Sequence, residues 1–385
     1  MVLTEALAER LIVEQDNHSV KVRGVVFTIE GKRYEVKAKR DVILSAGVIQ
    51  TPQILELSGI GRKEVLEAVG IECAVENEQV GEHLEDHTVT ALTYDLVDGE
   101  YSLDHLTRES ILKEAMTEYE KGEGGPLAHS GHATGFLSVA QVATPEEMKR
   151  ITEALAAAVE AEGDAALRKE REILAARLLD PKAASFQLIL FAATTNPARF
   201  HDAKAAFAVG VGNSRVSVFI CLAHPFSRGS IHIESADPQV QPRIDPHYFE
   251  HPVDLEVMSV GLRVTDEVFR TSPLAERIKG RVFPPPEMDI NDPVARDRYL
   301  RAHSGTEYHP IGTAGLGRVV DERLKVKGVD HLRVADASVL PLHLSGNIMA
   351  PVYAIAEKAA DIIKQDQVDS SEPKGNSAFA PNMVV

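Results

Sequence analysis

The last quarter of the chain constrains its fold most. Short apolar runs alternate with turns: Tyr308-His309-Pro310-Ile311-Gly312-Thr313, then Arg333-Val334-Ala335-Asp336-Ala337-Ser338, then Ser345-Gly346-Asn347-Ile348-Met349-Ala350-Pro351 at the mouth of a helix. Over Pro351–Lys364, Val352, Ile355, Ala356, Ala359, Ile362 and Ile363 recur at helical spacing opposite Glu357, Lys358, Asp361 and Lys364. That pattern marks a helix laid against a core. Strands, turns and a closing helix in succession read as an α/β fold. One imidazole, one carboxylate-bearing turn and one polar helix entrance fall among them.

The 385 residues leave room for two or three domains and a sizeable core, and 44% hydrophobic with 26% charged residues suits a soluble globular chain. A net charge of −17 argues against binding nucleic acid or an anionic membrane through a general basic surface. Cys73 and Cys221 are too few for a disulfide framework, stand in no CxxC spacing, and read as core thiols. No apolar run approaches the roughly 18 residues of a membrane span. Glu5, Glu9 and Arg10 make the first residues unlike a secretory leader.

Residues 4–15 have the composition of a helix. Val20–Ile29 and Arg33–Ala38, joined by Glu30-Gly31-Lys32, predict a hairpin, and Asp41–Leu44 a short strand. Helices are expected at Pro52–Leu57 and at Lys63–Val69, the latter stopped by Gly70. From about 90 to 140 the periodicity is poor, with a loop at Gly122–Pro126. Thr144-Pro145-Glu146-Glu147 is a strong helix start, opening two Ala-rich helices split at Gly163-Asp164. Strands are expected at Ser185–Ala192, Arg215–Leu222 and Ser230–Glu234, a helix at Pro252–Phe269, and a surface loop at Pro284–Pro286. Residues 366–385 read as a polar, disordered tail.

Among fifteen histidines, His309 stands out because Pro310 holds it out of helical geometry while Ile311-Gly312-Thr313 permit a tight turn. Imidazole is the side chain suited to proton transfer near neutral pH. His303, His309, His331 and His343 lie in one stretch, but no pair has the spacing of a helical zinc site, so no metal is expected. There is no GxSxG elbow for a nucleophilic hydrolase. Asn347 reads either as a helix cap or as a hydrogen-bond donor.

The runs Tyr308–Ala314 and Val319–Pro341, the segment Asp41–Gly47, the signature Gly47–Gly61 and the turn Val80–His87 occur in an order that resembles the glucose–methanol–choline (GMC) oxidoreductases. Val48 stands where that family has a small residue, and His83 where it has Asn. The resemblance implies a flavoenzyme that uses FAD to oxidise CH–OH groups of a small alcohol and passes electrons to oxygen or another acceptor. It implies His309 as base and Asn347 as a donor to the developing alkoxide. It implies flavin contacts from Asp336, Ala337, Asn347, Ile348 and Met349. Residues 4–15 would then be extended, with Ala8 beneath the adenine, and this reading is preferred to the helix.

No G-x-G-x-x-G run occurs: the Gly-x-Gly pairs at Gly59, Gly210 and Gly315 all lack the third glycine. The resemblance covers nearly all of this chain but only the later part of a family member, so a chain lacking the N-terminal FAD-binding Gly-rich segment is expected. The implied layout is a FAD-domain remnant over 1–90 and about 309–365. A substrate domain with an antiparallel sheet and flanking helices would lie between, over about 91–308. The alternatives are a flavin-retaining lyase of the same family and a non-catalytic remnant.

Overall fold

A computed structural model of the protein describes residues 2–16, 19–128, 132–208, 212 and 214–371. Leu7–Gln15, Val20–Ile29 and Lys32–Lys37 form a three-stranded antiparallel sheet. The helical composition of residues 4–15 is overridden by strand pairing, and Ala8 lies opposite Phe27. Val42–Leu44 pairs in parallel with Leu332–Val334, joining the two ends of the chain. Leu11, Val22, Leu55, Val320, Leu332 and Val334 lie in one core around these elements.

The helix expected at Pro52 begins earlier, at Gly47, and runs to Leu57 with Pro52 inside it. Proline has no N–H to offer the carbonyl four residues back. That carbonyl, Val48 O, instead accepts a hydrogen bond from Thr313 Oγ1 at 2.6 Å. Val48 itself is buried against Leu84, Ile231, Ile311 and Ala337.

A six-stranded antiparallel sheet forms the other half. Its order is Ile278–Phe283, Thr88–Leu96, Arg215–Leu222, Phe186–Phe191 and His132–Leu137, and Gly305–Thr306 also pairs with Thr88–Leu96. Residues alternate between its faces. Leu92, Val218, Ile220 and Leu222 meet the helices Pro145–Ala161, Ala165–Leu179 and Pro252–Phe269, while Val89, Ala91, Phe219 and Cys221 face the other way. Thr144 and Glu147 close the expected capping box, and Asp164 caps the second helix. Cys221 is buried, Cys73 is half-buried, and both are free thiols.

The 90–140 region is more structured than its periodicity suggests. It holds most of Thr88–Leu96, the helix Glu109–Glu120 and the strand His132–Leu137. The disordered tail is also corrected. The last helix runs Met349–Ser371, and Asp366 is engaged by Arg323 and Arg333. These hydrogen bonds, from Arg323 first, hold the Asp366 carboxyl down at about 2. Residues 372–385 lie outside the described residues. No described helix is long and apolar enough to cross a membrane.

Candidate active site

Two bends bring the site together. Glu85 and Ile311 exchange backbone hydrogen bonds (Ile311 N to Glu85 O, 2.9 Å; Glu85 N to Ile311 O, 3.1 Å), and Glu307 N donates to His87 O at 3.0 Å. Asp86 Oδ1 accepts from His309 N at 3.1 Å, and Asp86 Oδ2 accepts from the Tyr248 hydroxyl. Gly312 has φ +99°, and a Cβ there would stand 2.3 Å from His83 O. This close approach explains the glycine. Tyr308, beside His309, holds φ +62° without being glycine, a strained conformation of the kind found at functional sites. His83 is the corner of the facing bend, at φ +61°, and its Nε2 lies 2.7 Å from Gln79 Oε1.

His309 is nearly buried. Its Nε2 stands 3.3 Å from Asn347 Nδ2, and its Nδ1 stands 3.0 Å from His87 Nδ1. The last helix begins at Met349, and its first turn is closed by Val352 N donating to Ile348 O. The side chain of Asn347 meets His309 and lies two residues before the helix, so of its two readings the contact with the imidazole is the one its side chain makes. The amides of Met349 and Ala350 have no partner inside the helix, and Met349 is 72% exposed. The result is an open, partially positive helix end beside an imidazole, a setting that favours negative charge.

Asp336 is turned inward. Its Oδ2 accepts from Gly47 N (3.0 Å) and Thr51 Oγ1 (2.7 Å), and its Oδ1 accepts from Ser338 N (2.8 Å) and Ser338 Oγ (2.5 Å). Its carboxylate therefore ties the turn at 336–338 to the start of the Gly47 helix. Any contact of Asp336 and Ala337 with a flavin would fall to their backbone. Ala8 is exposed on its strand and does not join the group around His309.

Sequence reasoning missed His87 and Glu307. His87 is 2% exposed, and Glu307 lies with Oε2 3.6 Å from His309 Nδ1 and 3.7 Å from His87 Nδ1. Their only signal was position: one ends the Val80–His87 turn and the other precedes His309 by two. His87, Glu307 and His309 are also the described residues that could converge on a metal ion, although the two imidazoles face each other across a hydrogen bond. His343 Nε2 meets His309 O at 2.8 Å. Burial first, then the neighbouring His87, pushes the His343 imidazole well below its usual range.

An apolar cavity of about 190 Å³ opens beside Glu307 and Tyr308, walled by Val89, Ile189, Phe200, Phe207, Phe219 and Cys221. The Cys221 thiol is pushed well up by burial and then by the Glu307 carboxylate.

Family models described as GMC oxidoreductase match residues 1–89 (the family's N-terminal model) and 225–356 (its C-terminal model), together more than half of the chain. The match over 1–89 corrects the expectation of a chain lacking the family's N-terminal FAD-binding Gly-rich segment: the family's N-terminal domain is represented here. Dehydrogenase mpl7 of Monascus purpureus is 39% identical over 376 residues, covering 95% of this chain and 60% of the relative. The formate oxidase of Aspergillus oryzae superposes with a TM-score of 0.78 at 29% identity, covering 95% of this chain and 61% of its own. A fungal aryl-alcohol oxidase gives 0.77 at 26% identity, covering 94% and 61%. The chain thus spans about 60% of the length of the relatives it matches.

Proposed function

Because this chain belongs to the GMC oxidoreductase family, whose cofactor is FAD, we propose that it carries the proton-handling half of an alcohol-oxidising site. His309 is the base and Asn347 the donor beside it. One observation carries this reading: His309 Nε2 and Asn347 Nδ2 meet 3.3 Å apart at the open N-terminus of the helix Met349–Ser371.

Bound FAD supplies the hydride acceptor. The chain's own residues do the rest. The Nε2 lone pair of His309 accepts the hydroxyl proton of the alcohol. The Asn347 amide donates to the same oxygen as negative charge develops on it. The amides of Met349 and Ala350, with the helix dipole behind them, stabilise negative charge on the flavin edge. Asp86 and Gly312 hold the His309 backbone in place.

The test is His309→Ala in FAD-loaded protein, read by anaerobic flavin reduction with a panel of primary alcohols. Reduction should slow by about 100- to 10,000-fold while flavin stays bound. Reduction at the wild-type rate in the variant would make His309 structural and remove the reading.

A further inference from the structure

Behind His309, on the side away from Asn347, the protons can be assigned one after another. His87 Nε2 stands 3.1 Å from Ala223 O and 3.0 Å from Leu344 O. Carbonyl oxygens only accept, so that nitrogen carries the proton. Burial pushes the His87 imidazole down to about 4, against the opposing pull of Glu307. Near neutral pH its Nδ1 is therefore bare. The bare nitrogen faces His309 Nδ1 at 3.0 Å, with the rings nearly perpendicular at 86°. Two lone pairs at that distance would repel, so the proton between them belongs to His309 Nδ1. The other nitrogen, Nε2, faces Asn347 Nδ2 at 3.3 Å; an amide nitrogen only donates, so Nε2 presents its lone pair.

The two carbonyls are fixed in turn. His224 Nδ1 lies 3.1 Å from His343 O and its Nε2 lies 3.0 Å from Ser345 Oγ, and Arg177 Nη2 donates to that same hydroxyl at 2.9 Å. The strap carrying Leu344 O is thus pinned on both sides.

Glu307 completes the arrangement. Among the described residues neither of its buried carboxylate oxygens meets an N–H or O–H donor; the weak donor beside it is the Cys221 thiol. In this hydrogen-bond pattern each of the two rings carries one proton, so the carboxylate has no cation to face until His309 gains a second.

We propose that His87 is a positioning residue that locks His309 in the Nδ1–H tautomer, and that Glu307 is the counter-charge for the imidazolium formed when Nε2 takes the substrate proton. The bookkeeping is closed. The hydroxyl O–H bond breaks, an N–H bond forms at Nε2, Nδ1 keeps its proton, and the new positive charge lies opposite Glu307. The inference rests on His309 being the base. It also separates from a metal site made of the same three residues. A cation would need both Nδ1 atoms bare, driving the His309 proton to Nε2, the opposite tautomer.

The test uses the full chain labelled with ¹⁵N-histidine, read near pH 7.5 by long-range ¹⁵N–¹H correlation, with His309→Ala and His87→Asn spectra for assignment. Wild-type protein should show His87 protonated at Nε2 and His309 at Nδ1. His87→Leu should let His309 populate both tautomers. His87→Asn, whose side-chain oxygen can take the place of Nδ1 as acceptor, should restore the Nδ1–H form. In FAD-loaded protein, Glu307→Gln should leave the tautomers unchanged and slow flavin reduction by about tenfold or more. A wild-type His309 protonated at Nε2, or an unchanged rate in Glu307→Gln, overturns the proposal. The wild-type spectrum needs neither flavin nor turnover. Correct tautomers in a protein that oxidises no alcohol would therefore sink the functional reading alone, and activity with the opposite tautomer would sink only this one.

Discussion

His232 offers a stability switch whose size can be worked from its neighbours. Its Nδ1 lies 2.7 Å from Glu56 Oε1 and its Nε2 3.1 Å from Glu82 Oε1, so one imidazolium clamps the helix Gly47–Leu57 to the strands Gly229–His232 and Glu82–Leu84. Burial works against the charged ring. The hydrogen bonds to Glu56 and Glu82 outweigh it and raise the group from 6.5 to about 9. At 1.36 kcal/mol per tenfold, that difference is about 3 kcal/mol of folding stability. The sign follows from which state holds the proton. Below about pH 6.5 both states are protonated and the contribution is full. It declines as pH rises from there, because only the unfolded chain gives up the proton, and it is gone above about 9. His232→Gln keeps a polar side chain without the charge. Urea unfolding at pH 6, 8 and 10 should find the variant about 3 kcal/mol less stable than wild type at pH 6 and close to it at pH 10. A stability gap that does not change with pH would show that the clamp carries no charge and would refute the reasoning.

Two further outcomes are expected. On the proposed reading Asn347→Asp removes the donor while placing a carboxylate near a helix N-terminus, so thermal stability should stay within about 1 kcal/mol. Stopped-flow reduction of FAD-loaded protein should nonetheless lose most of its rate, and a wild-type rate would take Asn347 out of the site. Gly312→Ala forces a Cβ to within 2.3 Å of His83 O at a φ of +99°. Denaturation should show a loss of at least about 2 kcal/mol, and a neutral result would mean that the bend opens without penalty.

Val20–Ile29, whose residues alternate between buried and half-buried along the strand, and the helix Pro252–Phe269, opened by its proline, were found at their observed bounds. Thr88–Leu96 was not, because nearly all of it is buried and a strand enclosed on both faces has no alternation to read. The start of the helix at Gly47 was hidden by Pro52, whose missing N–H is offset by Thr313 Oγ1 from far along the chain. In the site, His309 and Asn347 carried motif signals. His87 and Glu307 acquire meaning only through ring nitrogens and carbonyls that meet in space, and no local pattern records which carbonyl a histidine will find.

The segments around His309 come from widely separated parts of the chain. His87 and His309 are 222 positions apart, His87 and Leu344 are 257 apart, and Val48 and Thr313 are 265 apart. Contacts of such long range close late, after the entropy of large loops has been lost. Either half alone can hold helices and sheets but not the contact between His87 and His309. After dilution from denaturant, recovery of the native histidine ring resonances should therefore lag behind recovery of secondary structure, and the imidazole pair reports completion of the whole chain's assembly.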